Sequence, residues 1–120
     1  MLTIEVIEDD VAMRTLISEW LHAEGYRVRA KSRIGGERRT DVDLVVVNLG
    51  NLHLDGIDYV RRVQRTYANA ALIGVSTQVS RTLAADSEQA QTLGLARLVS
   101  KPCRSSELLG AVMDAIGPAT

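Results

Sequence analysis

The stretch that decides the fold is Leu44-Val45-Val46-Val47, a run of four consecutive apolar residues. A strand with one exposed face alternates apolar and polar residues, whereas a strand that is covered on both faces is apolar at successive positions. The run therefore predicts the central strand of a parallel sheet that carries helices on both sides.

The run predicts a central strand over 43–47. Four further stretches of strand length lie before and after it, at residues 2–7, 26–30, 71–75 and 96–99. They alternate with segments of helical period, which is the pattern of parallel βαβ units and not of an antiparallel sandwich. The sequence thus predicts an α/β fold of the doubly wound type, with three layers and five parallel strands.

The first helix is the clearest one, with Asp10 as its N-cap and Gly25 as its stop. Its predicted apolar face consists of Met13, Leu16, Ile17, Trp20 and Leu21. The segment 32–42 contains Gly35-Gly36 and few apolar residues, so we expect a short or poorly formed helix there.

Two later helices are predicted from their period and their end signals. One starts after Gly56 and directs Val60, Val63 and Tyr67 inward, with Arg61, Arg62 and Arg65 on a basic outer face. The last helix begins near Ser105 or Ser106, buries Leu108, Val112 and Ile116, and ends at Gly117-Pro118. Between them, the segment 80–93 has only a thin apolar stripe.

Length and composition restrict the class of protein. The 120 residues predict a single domain over 1–120, and a net charge of −1 provides no general attraction to nucleic acid or anionic lipid. A lone Cys103 excludes an internal disulfide. The sequence shows neither a leader peptide nor an apolar run of about 18 residues, so we expect a cytoplasmic protein.

Polar residues follow four of the predicted strands. They are Glu8-Asp9-Asp10, Asn48-Leu49-Gly50, Ser76-Thr77 and Lys101-Pro102. Because ligands of doubly wound sheets collect at the carboxyl ends of the strands, we expect these side chains to share one rim. Hard oxygen ligands beside a lysine suit a divalent cation and a phosphoryl group.

This arrangement resembles the receiver domain of bacterial response regulators, the phosphorelay modules of two-component signalling. The resemblance covers the whole chain and implies a flavodoxin-like sheet with strand order 2-1-3-4-5. It also implies a histidine kinase or an output domain as the partner, and a homodimer through 80–93, 96–99 and the last helix. Position by position, it assigns Mg²⁺ to Asp9, Asp10 and the backbone carbonyl of Gly50, the phosphoacceptor position to Asn48, and the phosphoryl contacts to Ser76 and Lys101.

Asn48 departs from this pattern, because an amide cannot form the acyl phosphate that a carboxylate nucleophile forms. It also removes a negative charge beside the metal, where one charge pair at 4 Å contributes roughly 4 kcal/mol at an effective dielectric near 20. The Mg²⁺ site is therefore expected to be weak or empty. Leu98 stands where the family has a switching aromatic residue. We expect a pseudo-receiver that acts by protein contact and is not an enzyme.

Other interpretations remain open at this stage. Phosphorylation could use a neighbouring carboxylate, Asp9, Asp10 or Asp55, or the acidic pair could only cap the first helix. A phosphatase with an aspartate nucleophile lacks support, since its Asp-x-Asp spacing is absent. A flavin carrier is disfavoured because the turn after the first strand has no phosphate cradle. The arginines at 61, 62 and 65 are either a solvated face or a surface for an acidic partner.

Overall fold

The computed structural model describes residues 2–49, 56–76, 94–100 and 104–119, and it contains one five-stranded parallel sheet between helices. The strands are β1 (Thr3–Ile7), β2 (Arg27–Lys31), β3 (Leu44–Asn48), β4 (Ala71–Ser76) and β5 (Arg97–Ser100). The described helices are α1 (Val11–Ala23), α2 (Gly56–Thr66) and α3 (Ser105–Ile116). The strand order is β2-β1-β3-β4-β5, so the predicted fold and topology are confirmed.

Strand β3 lies at the centre of the sheet, as its apolar run predicts. It pairs with β1 on one side and with β4 on the other. Val45 and Val47 pack in one core with Val60 and Val63 of α2, on one face of the sheet. The alternate residues of β3, Leu44 and Val46, belong to a second core with residues of α1 and α3.

Helix α1 begins where the sequence predicts. The Asp10 carboxylate accepts a hydrogen bond from the backbone N–H of Ala12 at 3.2 Å, and Gly25 follows the helix at a φ of 98°. The predicted apolar face is too wide, because Leu16 is 40% exposed. At 100° per residue, Leu16 points roughly 120° away from the midpoint of the buried pair Ile17 and Leu21, beyond the contact with the sheet.

The other two described helices follow their predicted faces. Val60, Val63 and Tyr67 are buried, while Arg61, Arg62 and Arg65 are exposed. In α3, Leu108 and Val112 are buried as predicted, and Ile116 is only partly buried because it lies in the last turn. Gly117 ends this helix at a φ of 81°.

The short or poorly formed helix predicted over 32–42 is absent, and the chain crosses from β2 to β3 in an irregular loop with several bends. Val42 inserts into the core that contacts α2. The predicted helical segment 80–93 lies outside the described residues. None of the described helices is long and apolar enough to cross a membrane.

Candidate functional site

The carboxyl ends of three central strands bring Asp9, Asn48 and Ser76 to the same rim of the sheet. The parallel register pairs Ile7 with Val47, and Asn48 with Val75. The turn that follows β1, which contains Glu8 and Asp9, therefore lies beside the last residues of β3 and β4. Lys101 and Gly50, which the sequence assigns to the same site, lie outside the described residues.

Asn48 contacts the acidic turn directly. Its side-chain Nδ2 donates a hydrogen bond to Asp9 Oδ1 at 3.2 Å. A carboxylate in the same place would put two negative oxygens against each other, and such a pair repels unless a cation or a proton lies between them. The amide supplies an N–H donor instead, so the contact is favourable without a metal ion.

Asp10, which the sequence assigns to the metal, has a different role. Its backbone is extended, with φ −77° and ψ 118°, and its carboxylate caps the N-terminus of α1. A carboxylate there accepts a backbone N–H that has no partner within the helix. Of the two aspartates that the sequence assigns to the metal, Asp9 contacts Asn48 and Asp10 caps α1. A capping role was one of the alternatives that the sequence left open for Asp10.

Glu8 is the functional candidate that the sequence reasoning missed. This residue is 2% exposed, and its Oε1 accepts a hydrogen bond from the backbone N–H of Asp10 at 3.2 Å. Arg14 Nη1 donates to the backbone carbonyl of Glu8 at 2.9 Å, which ties α1 to the end of β1. The sequence contained a signal for this role of Glu8. Because Asp10 is already predicted as the N-cap of α1, the two acidic residues left for the rim are Glu8 and Asp9.

Ser76 has the position expected of a hydroxyl at this rim. It is the last residue of β4, it is fully buried, and it pairs in register with Ser100 of β5. Leu98, at the position of the family's switching aromatic residue, is also fully buried and packs in the core with Leu95.

The described residues do not fit a Mg²⁺ site. They contain no group of three or more His, Cys, Asp or Glu side chains that could hold a metal ion. The carboxylates of Glu8 and Asp9 already accept N–H donors, and the Asp10 carboxylate caps α1. A Mg²⁺ ion at the described part of the rim would therefore compete with these N–H donors for the carboxylate oxygens.

Comparison with known proteins agrees with the fold. The sequence matches the response regulator receiver domain family over residues 4–113. This chain belongs to that family. It is a receiver domain of a two-component response regulator, and receiver domains interact with kinases or output domains.

Curated relatives of the receiver domain are longer proteins. This chain is 33% identical over 116 residues to the protein-glutamate methylesterase/protein-glutamine glutaminase of Nitrobacter winogradskyi. The match covers 92% of this chain and 27% of that protein. The chain is 34% identical over 115 residues to the regulatory protein VirG of Agrobacterium fabrum, covering 92% of this chain and 44% of VirG. The chain thus spans less than half the length of these two relatives.

Solved structures share the architecture of the receiver domain at lower sequence identity. The non-phosphorylated HemR receiver domain from Leptospira biflexa superposes with a TM-score of 0.76 at 23% identity, covering 97% of this chain and 94% of that one. A response regulator from Thermotoga maritima gives a TM-score of 0.73 at 18% identity, covering 97% and 98%. These likenesses show the fold.

Proposed function

We propose that this receiver domain is a pseudo-receiver, which signals through protein contact without phosphorylation at residue 48. The observation that carries the proposal is the hydrogen bond from Asn48 Nδ2 to Asp9 Oδ1. It puts an amide at the rim, beside the acidic turn, at the position where the family has its nucleophile. The partner is a histidine kinase or an output domain.

The chemistry of the amide supports this proposal. Phosphoryl transfer to a receiver forms a bond between a carboxylate oxygen and phosphorus while the donor leaves with its electron pair. The lone pair of the Asn48 amide nitrogen is delocalised into its carbonyl group, and the neutral amide oxygen is a far poorer nucleophile than a carboxylate. The activating step of an ordinary receiver is therefore blocked at this residue.

The electrostatics of the rim support a low affinity for Mg²⁺. Asp9 accepts the Asn48 N–H, so part of its negative charge is already compensated within the protein. Because residue 48 is an asparagine, the rim has one carboxylate fewer than it would have with an aspartate there. This lowers the attraction of the rim for a divalent cation. The domain thus needs no metal ion to hold its rim together.

We also propose that the receiver domain itself catalyses no reaction. The methylesterase and glutaminase activities are named for relatives of which this chain spans 27% and 30%. The described part of the rim offers Glu8 and Asp9, and both carboxylates are engaged by N–H donors. Contact with a partner remains the function that the rim supports best.

Incubation with acetyl phosphate and Mg²⁺ tests the proposal. The natural protein should acquire no hydroxylamine-labile phosphoryl group, as followed by intact mass, whereas Asn48→Asp should acquire one. A stoichiometric phosphoryl group on the natural protein would overturn the proposal. Peptide mapping would then show whether Asp9, Asp10 or Asp55 had accepted it.

A further inference from the structure

An arginine-lined groove lies away from the rim, between the loop 35–38 and α2. One part of it has a volume of about 270 Å³ and is lined by Gly35, Gly36, Arg38, Arg62, Arg65 and Thr66. A second, more open part is lined by Arg38, Arg61, Gln64, Arg65 and Ala68. Arg38 and Arg65 are common to both, so the two parts form one surface, which we call the arginine groove.

The two walls of the arginine groove are fastened to each other. The backbone N–H of Arg39 donates to the carbonyl of Thr66 at 2.6 Å. Asn69 Nδ2 donates to the carbonyl of Thr40 at 3.5 Å. The loop is therefore held against the end of α2, and the four guanidinium groups come from two elements of fixed relative position.

The charges of the arginine groove are uncompensated within the described residues. The ion pairs of the described residues use other cations, namely Arg29, Lys31, Arg39 and Arg97. Glu37, the sequence neighbour of Arg38, and Asp58, in the first turn of α2, are exposed, and neither takes part in an ion pair between described residues. Arg61 and Arg65 stand four residues apart on one helix face, where like charges repel. A bound anion would relieve this repulsion.

We propose that the arginine groove binds an acidic, carboxylate-rich segment of a partner protein. A guanidinium group donates two parallel hydrogen bonds to a carboxylate, and several arginines on one surface can engage successive acidic side chains. The proposal rests on the proposed function in one respect, since a domain that signals by contact requires a contact surface. It does not involve residue 48, so each proposal can fail without the other.

Nucleic acid fits the arginine groove less well than an acidic protein segment. The residues that line the groove include no aromatic side chain on which a base could stack. The net charge of the chain is −1, whereas domains that bind nucleic acid through phosphate contacts are strongly basic. The groove gathers four arginines on one small surface, which suits a short acidic segment.

Fluorescence anisotropy with a labelled twelve-residue glutamate-rich peptide tests the proposal in low-salt buffer. The variant Arg65→Glu, at a residue that lines both parts of the groove, should bind the peptide at least about fivefold more weakly than the unsubstituted protein. Added salt should weaken peptide binding by both proteins. The matched control is Arg27→Glu, which reverses another exposed arginine on β2 and should change the affinity by less than about twofold. The variant Arg38→Glu tests the contribution of the loop 35–38 separately. If the substitution in α2 prevents folding, Arg38→Glu becomes the test of the groove.

Three outcomes would overturn the proposal. One is an undetectable affinity of the natural protein for the peptide, and another is an equal loss in Arg27→Glu, which would reflect net charge alone. The third is tighter binding of a DNA duplex of matched charge than of the peptide, with the same loss in the groove variants. That last result would assign the groove to nucleic acid.

Discussion

The side-chain amide of Asn48 donates to the carboxylate of Asp9 across 3.2 Å, from the end of β3 to the turn after β1. In a receiver with aspartate at this position, the same geometry would bring two carboxylates together. The asparagine puts a hydrogen bond where two carboxylates would repel each other, and this contact forms without a cation.

Asn48→Asp should make the stability of the domain dependent on Mg²⁺. Without the ion, the new carboxylate repels Asp9, and the loss should be about 1–2 kcal/mol because both groups lie near solvent. Mg²⁺ should restore the melting temperature of Asn48→Asp and leave that of the natural protein unchanged, as measured by thermal unfolding with and without the ion.

The control for this experiment is Asn48→Ala, which removes the hydrogen bond without adding a charge. It should show no response to Mg²⁺. An equal Mg²⁺ affinity of the natural protein and Asn48→Asp would mean that the acidic turn forms no metal site with residue 48.

Asp10→Ala should destabilise the domain through helix α1. The Asp10 carboxylate accepts the Ala12 N–H, and loss of such a cap costs about 1 kcal/mol. Asp10→Asn should retain most of the stability, since an amide oxygen also caps a helix. Asp9→Ala, one residue earlier, removes an exposed carboxylate and should cost less than about 0.5 kcal/mol in urea unfolding. Similar losses for Asp9→Ala and Asp10→Ala would contradict the division of roles between them.

The sequence was sufficient for the sheet and its central strand, because these depend on local pattern. The apolar run of β3 and the cap at Asp10 are visible without any tertiary contact. The run of acids Glu8-Asp9-Asp10 offers both a helix cap and metal ligands, and local pattern alone does not divide these roles among the three residues. In the structure the cap is Asp10.

Glu5 shows what local pattern cannot reveal. It alternates with Ile4 and Val6 along β1, which favours an exposed position, yet its side chain is fully buried. Arg29 Nε and Lys31 Nζ of β2 lie 3.6 Å and 3.7 Å from its two carboxylate oxygens. These partners depend on the register that pairs Glu5 with Arg29, and register is a property of the folded sheet.

Gly74→Ala should destabilise the domain by about 1–3 kcal/mol. A Cβ at this position of β4 would lie 2.6 Å from Leu49 Cδ1 and 2.9 Å from Leu95 Cδ1, so the core would have to shift. Gly110→Ala in α3 is the matched control, because its Cβ would meet nothing within 4 Å and alanine favours a helix by up to about 1 kcal/mol. Urea unfolding should move the two midpoints in opposite directions, and a neutral Gly74→Ala would mean that the core is looser than these distances indicate.

Tyr67 should make the domain less stable at high pH. Burial, and then the adjacent Glu5 carboxylate, raises the pKa of the Tyr67 phenol well above its usual value near 10. Above about pH 10 the Tyr67 phenol releases its proton in the unfolded chain but keeps it in the folded protein. The contribution of Tyr67 to the free energy of unfolding is therefore fully present below about pH 10. It is lost as the pH rises toward the folded-state pKa of Tyr67, by at most about 1.4 kcal/mol per pH unit.

Tyr67→Phe isolates the contribution of the Tyr67 phenol from those of the other ionisable groups. The free energy of unfolding in urea, measured from pH 9 to 11.5, should fall less steeply for Tyr67→Phe than for the natural protein. Tyr59→Phe serves as the control, since burial also raises the pKa of Tyr59 but the nearby Arg62 opposes the shift. Parallel pH profiles for the natural protein and Tyr67→Phe would show that the phenol ionises equally in the folded and unfolded chains, and that Glu5 does not act on it.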